Sequence, residues 1–219
     1  MKELKVKLTL TDELLGSQPG DKDVHETFIG SKAPDALSRE EEVAAIGVDA
    51  EIEKTKTVFH RHDGKVCIMD YQVRGFFKSA AQFFNKLSDS EVQDVCGKKL
   101  KKLSAFKKQI DGLVFVSAMD GGRFIPLCMP EGAVVGDCQR PLRGQTAQGE
   151  RIALANSETV PAGTTLEIKV RVLSHSLCEY VDGWLKYGKY NGLGQWRNSG
   201  KGSFIVKVIE DWTEVEDDE

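Results

Sequence analysis

Between Gly192 and Gly202 the chain reads GLGQWRNSGKG, four glycines (Gly192, Gly194, Gly200, Gly202) set around Trp196, Arg197 and Lys201. Glycine has no Cβ, so its backbone takes positive φ and comes close to a ligand. Successive N–H groups in such a loop make an anion-binding hollow. Arginine and lysine beside it supply phosphate contacts, and an indole offers a face on which an unpaired base stacks. The same composition also suits a long loop with no ligand. Further cations accompany the loop: Arg74 and Lys78 lie four apart on one polar helical stripe, and Arg140, Arg143 and Arg151 punctuate a long segment before the next strand. These twelve residues are the candidate nucleic-acid-binding set.

Other chemistry is poorly served. His60 and His62 alternate beside Asp63, a pattern that can ligate a metal and that is commoner in exposed hairpins, so no metal is assigned. Cys138 lies beside Arg140, where an adjacent cation would lower a thiol's pKa, yet a plain loop cysteine is the simpler reading. Asp137 and Glu150 are the acids available to an RNA-cleaving site within the arginine segment. The chain has no GxSxG, Walker loop or HExxH signature. No catalytic residue and no cofactor is assigned. Phe76, Phe77, Phe83 and Phe84, at helical spacing, read as core, and the lysines of GKKLKKLSAFKK as a solvated face.

The chain has 219 residues, 40% of them hydrophobic and 29% charged, as in a water-soluble folded protein. No apolar run approaches the roughly 20 residues of a membrane span, and MKELKVKLTL alternates like a strand and lacks the apolar core of a signal peptide. A cytoplasmic location is expected. The cysteines Cys67, Cys96, Cys128, Cys138 and Cys178 are odd in number and never spaced as CxxC, which fits a reducing compartment. Net charge is −4, but residues 210–219 carry seven acids and no base, and without them the body is +3. The acidic end reads as a solvated tail, or else as a mimic of nucleic acid that shields a basic groove.

The elements that must position these residues follow from periodicity. Leu4, Val6, Leu8 and Leu10 alternate with Lys5, Lys7 and Thr9, a half-buried strand over 2–10. Residues 11–56 read as a polar insertion, with a short helix capped at Ser38 and closed by Glu41. Asp63-Gly64 marks a hairpin turn. A helix is expected over 70–87, with Val73, Phe76, Phe77, Ala80, Phe84 and Leu87 on its apolar face, and a polar helix over 90–108 in one or two pieces. LVFVS (113–117) and TLEIKVRVL (165–173) read as strands, 137–163 as long and mostly irregular, 176–190 as a helix and 203–209 as the last strand. Stripped of insertions, the order is strand, helix, strand, strand, helix, strand. That is an α+β class, ferredoxin-like (RRM-like) βαββαβ core with large insertions, a scaffold also used by readers of single-stranded RNA.

The sequence resembles the RAMP superfamily, the RNA-binding subunits of CRISPR effector complexes, and most closely their backbone subunits. The resemblance is carried by GLGQWRNSGKGSF before the final strand, by YQVRGFFKSAA at the opening of the first helix, and by the arginine-bearing insertion that ends in SETVPAGTTLEIKV; it covers roughly 70–87 and 140–209. The pattern is also similar to that of small proteins carried by prophages. It implies one RAMP-like domain over 1–210, with insertions at 11–56 and 118–163 and an acidic tail at 211–219. It further implies a non-catalytic protein that binds single-stranded RNA in preference to DNA, with copies of itself or other subunits along the strand and no membrane. The alternatives are a phage structural or anti-host interaction protein with the same fold, or an RNA endonuclease.

Overall fold

The structure, a computed structural model, describes residues 1–20, 56–146 and 149–215. In chain order the elements are β1 (Lys2–Leu10), β2 (Leu14–Leu15), β3 (Gln18–Pro19), β4 (Thr57–Val58), β5 (His60–His62), β6 (Lys65–Met69), α1 (Asp70–Phe84), α2 (Asp89–Cys96), α3 (Phe106–Leu113), β7 (Val114–Ala118), β8 (Phe124–Pro126), β9 (Gly136–Thr146), β10 (Gly149–Val160), β11 (Thr165–Val172), α4 (Cys178–Tyr187) and β12 (Phe204–Glu214). The chain is of mixed α+β class. It divides into a first unit, Met1–Leu14, His60–Val134 and Val160–Glu219, and a second, Leu15–Phe59 and Val135–Thr159.

The first unit is built on a four-stranded sheet in the order β12-β1-β11-β7, every pairing antiparallel. The two-residue period puts Leu4, Val6, Leu8 and Leu10 of β1 and Leu166, Ile168, Val170 and Val172 of β11 on one buried face. α1 covers that face because its apolar residues recur every three or four positions: Val73, Phe76, Phe77, Ala80 and Phe84 are all buried. α4 contributes Val181, Leu185 and the fully buried Trp184. Phe77 meets the Trp184 ring at 5.7 Å, and Phe76 meets Phe204 of β12 edge-on at 5.2 Å. Each such side chain removed from water contributes roughly 1.5–3 kcal/mol, and this cluster fixes α1 and α4 relative to the sheet.

α1 stops at Phe84, short of the expected 87. Asn85 turns its side chain out of the helix, donating to the Leu103 carbonyl and accepting from the Leu103 N–H, both at 2.9 Å. The expected polar helix is two. α2 opens on a reciprocal cap in which Ser88 Oγ accepts from the Glu91 N–H and Glu91 Oε2 from the Ser88 N–H. It closes on Gly97 at φ +79°. The lysines after Gly97 therefore begin an irregular link to α3. At the other end of the sheet β12 runs past the expected 209, as far as Glu214. Thr213 and Glu214 pair with Glu3 and Lys2, the Val215 N–H donates to the Met1 carbonyl at 3.1 Å, and Trp212 Nε1–H donates to Asp182 of α4 at 3.0 Å. The first acids of the C-terminal stretch thus belong to a strand.

β5, β6 and β8 form a small antiparallel sheet that turns at Asp63-Gly64, both residues at positive φ (50° and 73°) as the hairpin signal requires. The His62 ring stacks on Phe124 at 4.3 Å, and burial pushes the His60 imidazole below its ordinary pKa. Among the described residues no group of three or more His, Cys, Asp or Glu is placed to hold a metal.

In the second unit, the segment expected to be irregular is a long hairpin. β9 and β10 pair antiparallel from Gly136↔Thr159 to Thr146↔Gly149. β4 joins β10 in parallel at Ser157↔Thr57, and β3 pairs with β4. Polar contacts hold it: Thr57 Oγ1 donates to Ser157 Oγ at 2.8 Å, and the Phe59 N–H donates to Glu158 Oε2 at 3.0 Å. The helix expected after Ser38 lies outside the described residues.

Candidate nucleic-acid interface

The glycine loop joins α4 to β12 and is closed by its own backbone. The Leu193 N–H donates to the Gly202 carbonyl at 2.9 Å, and the Gly202 N–H donates to the Glu13 carbonyl at 2.8 Å. The two ends of the loop touch so closely that a Cβ on Gly192 would lie 1.9 Å from the carbonyl carbon and oxygen of Gly202. A Cβ on Gly202, itself at φ +70°, would lie 2.1 Å from the Leu193 oxygen. Gly194 and Gly200 take φ +71° and +84° at the turns between. Chain closure therefore accounts for Gly192 and Gly202. The Gly200 N–H donates to the Arg197 carbonyl at 3.0 Å, so the amides of Gly200 and Gly202 are both engaged within the protein.

The loop's side chains differ in availability. Lys201 lies 2.7 Å from a Glu13 oxygen and 3.1 Å from Asp12, and the hydrogen bonds it donates to Glu13 and then to Asp12 hold its ammonium above the usual lysine range. It is a bridge from the loop to the residues after β1. Trp196 is half-buried and sits at φ +55°, a left-handed conformation that is costly for a bulky residue. Arg197 is half-buried in a single 3-10 turn, Arg197–Ser199. Its charge acts on Tyr187 of α4: burial raises the Tyr187 phenol, while a hydrogen bond from Asn191 and the charge of Arg197 oppose the rise. Asn191 Nδ2 reaches Ser79 Oγ of α1 at 3.5 Å, which ties the start of the loop to the first helix.

The cations of α1 are ion-paired. Arg74 donates to Asp70 Oδ2 at 3.1 Å, and Arg123 donates to Oδ1 of the same buried carboxylate at 3.3 Å. Asp70 stands in the first turn of α1, where the helix dipole also favours a negative charge. Lys78 pairs with Asp111 of α3 at 2.5 Å. Arg140, Arg143 and Arg151 belong to the second unit, where the backbone register sets them opposite Ala155, Ile152 and Gly144; Arg140 is buried. Loop and α1 candidates thus share one unit, and the three arginines of the hairpin share the other.

The open face of the main sheet is largely self-neutralised. Lys5 pairs with Glu210 at 2.6 Å, Lys7 with Glu167 at 3.3 Å and Arg171 with Glu3 at 2.5 Å. A group of aromatic and cationic side chains outside the candidate set lies on the helical side. Phe83, expected in the core, is 42% exposed, because the apolar face of α1 is completed by Phe84. It meets Tyr187, which in turn meets Tyr190, and Lys86 lies over the Phe83 ring and Lys189 over that of Tyr190. The signal was present in KYGKYNGLGQWR, where two tyrosines and two lysines precede the glycine loop directly.

No family model matches this sequence, and no curated protein matches it. Among solved structures the chain is similar to Cmr6 from Pyrococcus furiosus, at 12% identity and a TM-score of 0.53, with 94% of this chain and 99% of that one covered. It is also similar to a chain of the type III-B Cmr-beta complex bound to cognate target RNA, at 13% identity and a TM-score of 0.45. That match covers 95% of this chain and 61% of the other. A chain of a type IV-B CRISPR complex matches at 13% identity and a TM-score of 0.42, covering 95% of this chain and 90% of that one. At these identities the likeness is one of fold, and it is shared with Cmr6 along nearly the whole of both chains.

Proposed function

We propose that this chain is a RAMP-like, non-catalytic protein that binds single-stranded nucleic acid, RNA in preference to DNA. Its core is read as the ferredoxin-like βαββαβ arrangement: β1, α1, β7, β11, α4 and β12, with strands ordered fourth, first, third, second across the sheet. The observation that carries the functional reading is the glycine loop. Its closure holds Trp196 in a strained left-handed conformation beside Arg197, and such strain gathers at ligand-contacting sites. An indole and a guanidinium held together suit a base and its phosphate. The end-to-end fold match to Cmr6 supports the reading, as do the cations Arg74, Lys78 and Lys201 in the same unit as the loop; Arg140, Arg143 and Arg151 belong to the second unit. Of these, Lys201, Arg74 and Lys78 serve first as ion-paired supports, and Arg197 is the leading phosphate contact. On this reading the partners would be single-stranded RNA and further subunits along the strand.

The test is binding of homopolymer RNA and single-stranded DNA across a salt series. Several neutralised phosphates give a clearly negative slope of log affinity against log salt. Absence of binding to every strand at low salt contradicts the proposal. A second reading, a phage structural or anti-host interaction protein, is favoured by one observation: β12 is an edge strand whose Ile205, Val208 and Ile209 are about half exposed beside Glu210 and Asp211. Such an edge accepts another chain's strand.

A further inference from the structure

We propose that Phe83, Tyr187 and Tyr190 form a stacking platform for an unpaired base, with Lys86, Lys189 and Arg197 placed around it for the flanking phosphates. This rests on the nucleic-acid reading above and names the surface that would do the binding. Phe83 and Tyr190 are 42% and 56% exposed. Isolated surface aromatics are ordinary; these are not isolated. Ring centroids run from Phe83 to Tyr187 at 6.0 Å and from Tyr187 to Tyr190 at 6.1 Å. Tyr187 in turn meets the buried Phe84 edge-on at 5.6 Å, so the platform is anchored to the core of the first unit.

The charges are of one sign. Lys86 Nζ lies 5.6 Å from the centroid of Phe83, and Lys189 Nζ lies 4.7 Å from that of Tyr190. The charge that bears on Tyr187 is that of Arg197. An ammonium over an exposed ring is weakly held, so each lysine is able to leave its ring to a base and move onto the adjoining phosphate. Aromatic faces interleaved with cations match a polyanion whose bases are unstacked, and a duplex hides those base faces. The platform is continuous in sequence with the loop that holds Trp196, which allows successive bases to be met by successive rings.

The experiment uses the full chain, a fluorescein-labelled oligouridine and an abasic ribose-phosphate strand of equal length. Phe83→Ala with Tyr190→Ala should weaken oligouridine binding by roughly five-fold to a hundred-fold with an unchanged salt slope, since stacking is lost and no phosphate contact is. The abasic strand should bind wild type about as weakly. Lys86→Ala with Lys189→Ala should make the salt slope shallower by about one to two. Phe83→Leu with Tyr190→Leu keeps apolar bulk, removes the π faces and should lose affinity to a similar degree, which separates stacking from folding. Wild-type affinity in both aromatic pairs, with wild type itself binding, overturns the platform and leaves the proposed function standing. Failure of wild type to bind any strand overturns both. Unchanged RNA affinity together with loss of self-association on a sizing column makes this a protein surface and also overturns the proposal.

Discussion

Replacing Gly202 by alanine separates a loop shaped by its own closure from one shaped by a ligand. Its Cβ would stand 2.1 Å from the Leu193 oxygen and 3.0 Å from a methyl carbon of Leu14. No rotamer relieves a clash with backbone, so the loop ends must part. Parting them breaks the Leu193 N–H to Gly202 carbonyl bond and the Gly202 N–H to Glu13 carbonyl bond, each worth about 1 kcal/mol net. Holding alanine at φ +70° adds about 1–2 kcal/mol. The expected loss is therefore about 3–4 kcal/mol of unfolding free energy. Gly200→Ala is the control: its φ is +84°, but the nearest atom to a new Cβ is a carboxylate oxygen of Asp12 at 3.8 Å. That variant should lose only the conformational part, about 1–2 kcal/mol. Urea unfolding followed by fluorescence reads both values. Equal stabilities for the two variants would refute the closure argument. So would a Gly202→Ala protein of wild-type stability that no longer binds RNA.

Three further outcomes follow from the geometry. Arg197→Ala should weaken single-strand binding and make the salt slope shallower by about one, with stability within roughly ±0.5 kcal/mol of wild type; Lys201→Ala, which leaves Asp12 and Glu13 without their shared cation, should instead cost up to about 1 kcal/mol in urea unfolding with little effect on binding. Deleting residues 216–219 should tighten RNA binding at low salt by removing four acids, whereas deletion from Trp212 onward should cost about 2 kcal/mol, because it removes the indole bond to Asp182 and the last pairs with β1. His60 is pushed below its ordinary value of 6.5 by burial, so as pH falls below 6.5 the unfolded chain takes up a proton before the folded one and stability declines. His60→Gln should flatten that part of the stability-pH curve.

The sheet of the first unit was legible because β1 and β11 alternate without fault and bury one face each, and α1 and α4 because their apolar residues recur at helical spacing. The β9–β10 hairpin was not legible. DCQRPLRGQT has neither alternation nor β-rich composition, and the strand exists through its backbone register with β10. The end of β12 was hidden for a related reason: DWTE reads as the start of an acidic tail, and only the pairing of Thr213 and Glu214 with β1 makes it strand. In the candidate site, the loop and its cations were visible from composition. Two of their ion pairs were not, since Asp12 and Asp111 are distant in sequence from Lys201 and Lys78, whereas Asp70 stands only four residues before Arg74. Phe83 was misread although the periodic apolar face of α1 takes in Phe84 and leaves Phe83 out; its aromatic type was read as core against that spacing.

On the proposed function, single-stranded RNA would lie along the aromatic and cationic surface between the end of α1 and the glycine loop. Photocrosslinking of the full chain to a 4-thiouridine-substituted RNA, followed by peptide mapping, tests it most directly. Crosslinks should concentrate on Phe83, Tyr190 and Trp196 and be lost when Phe83 and Tyr190 are both alanine. Crosslinks confined to the open face of the main sheet, around Lys169 and Lys207, would contradict it.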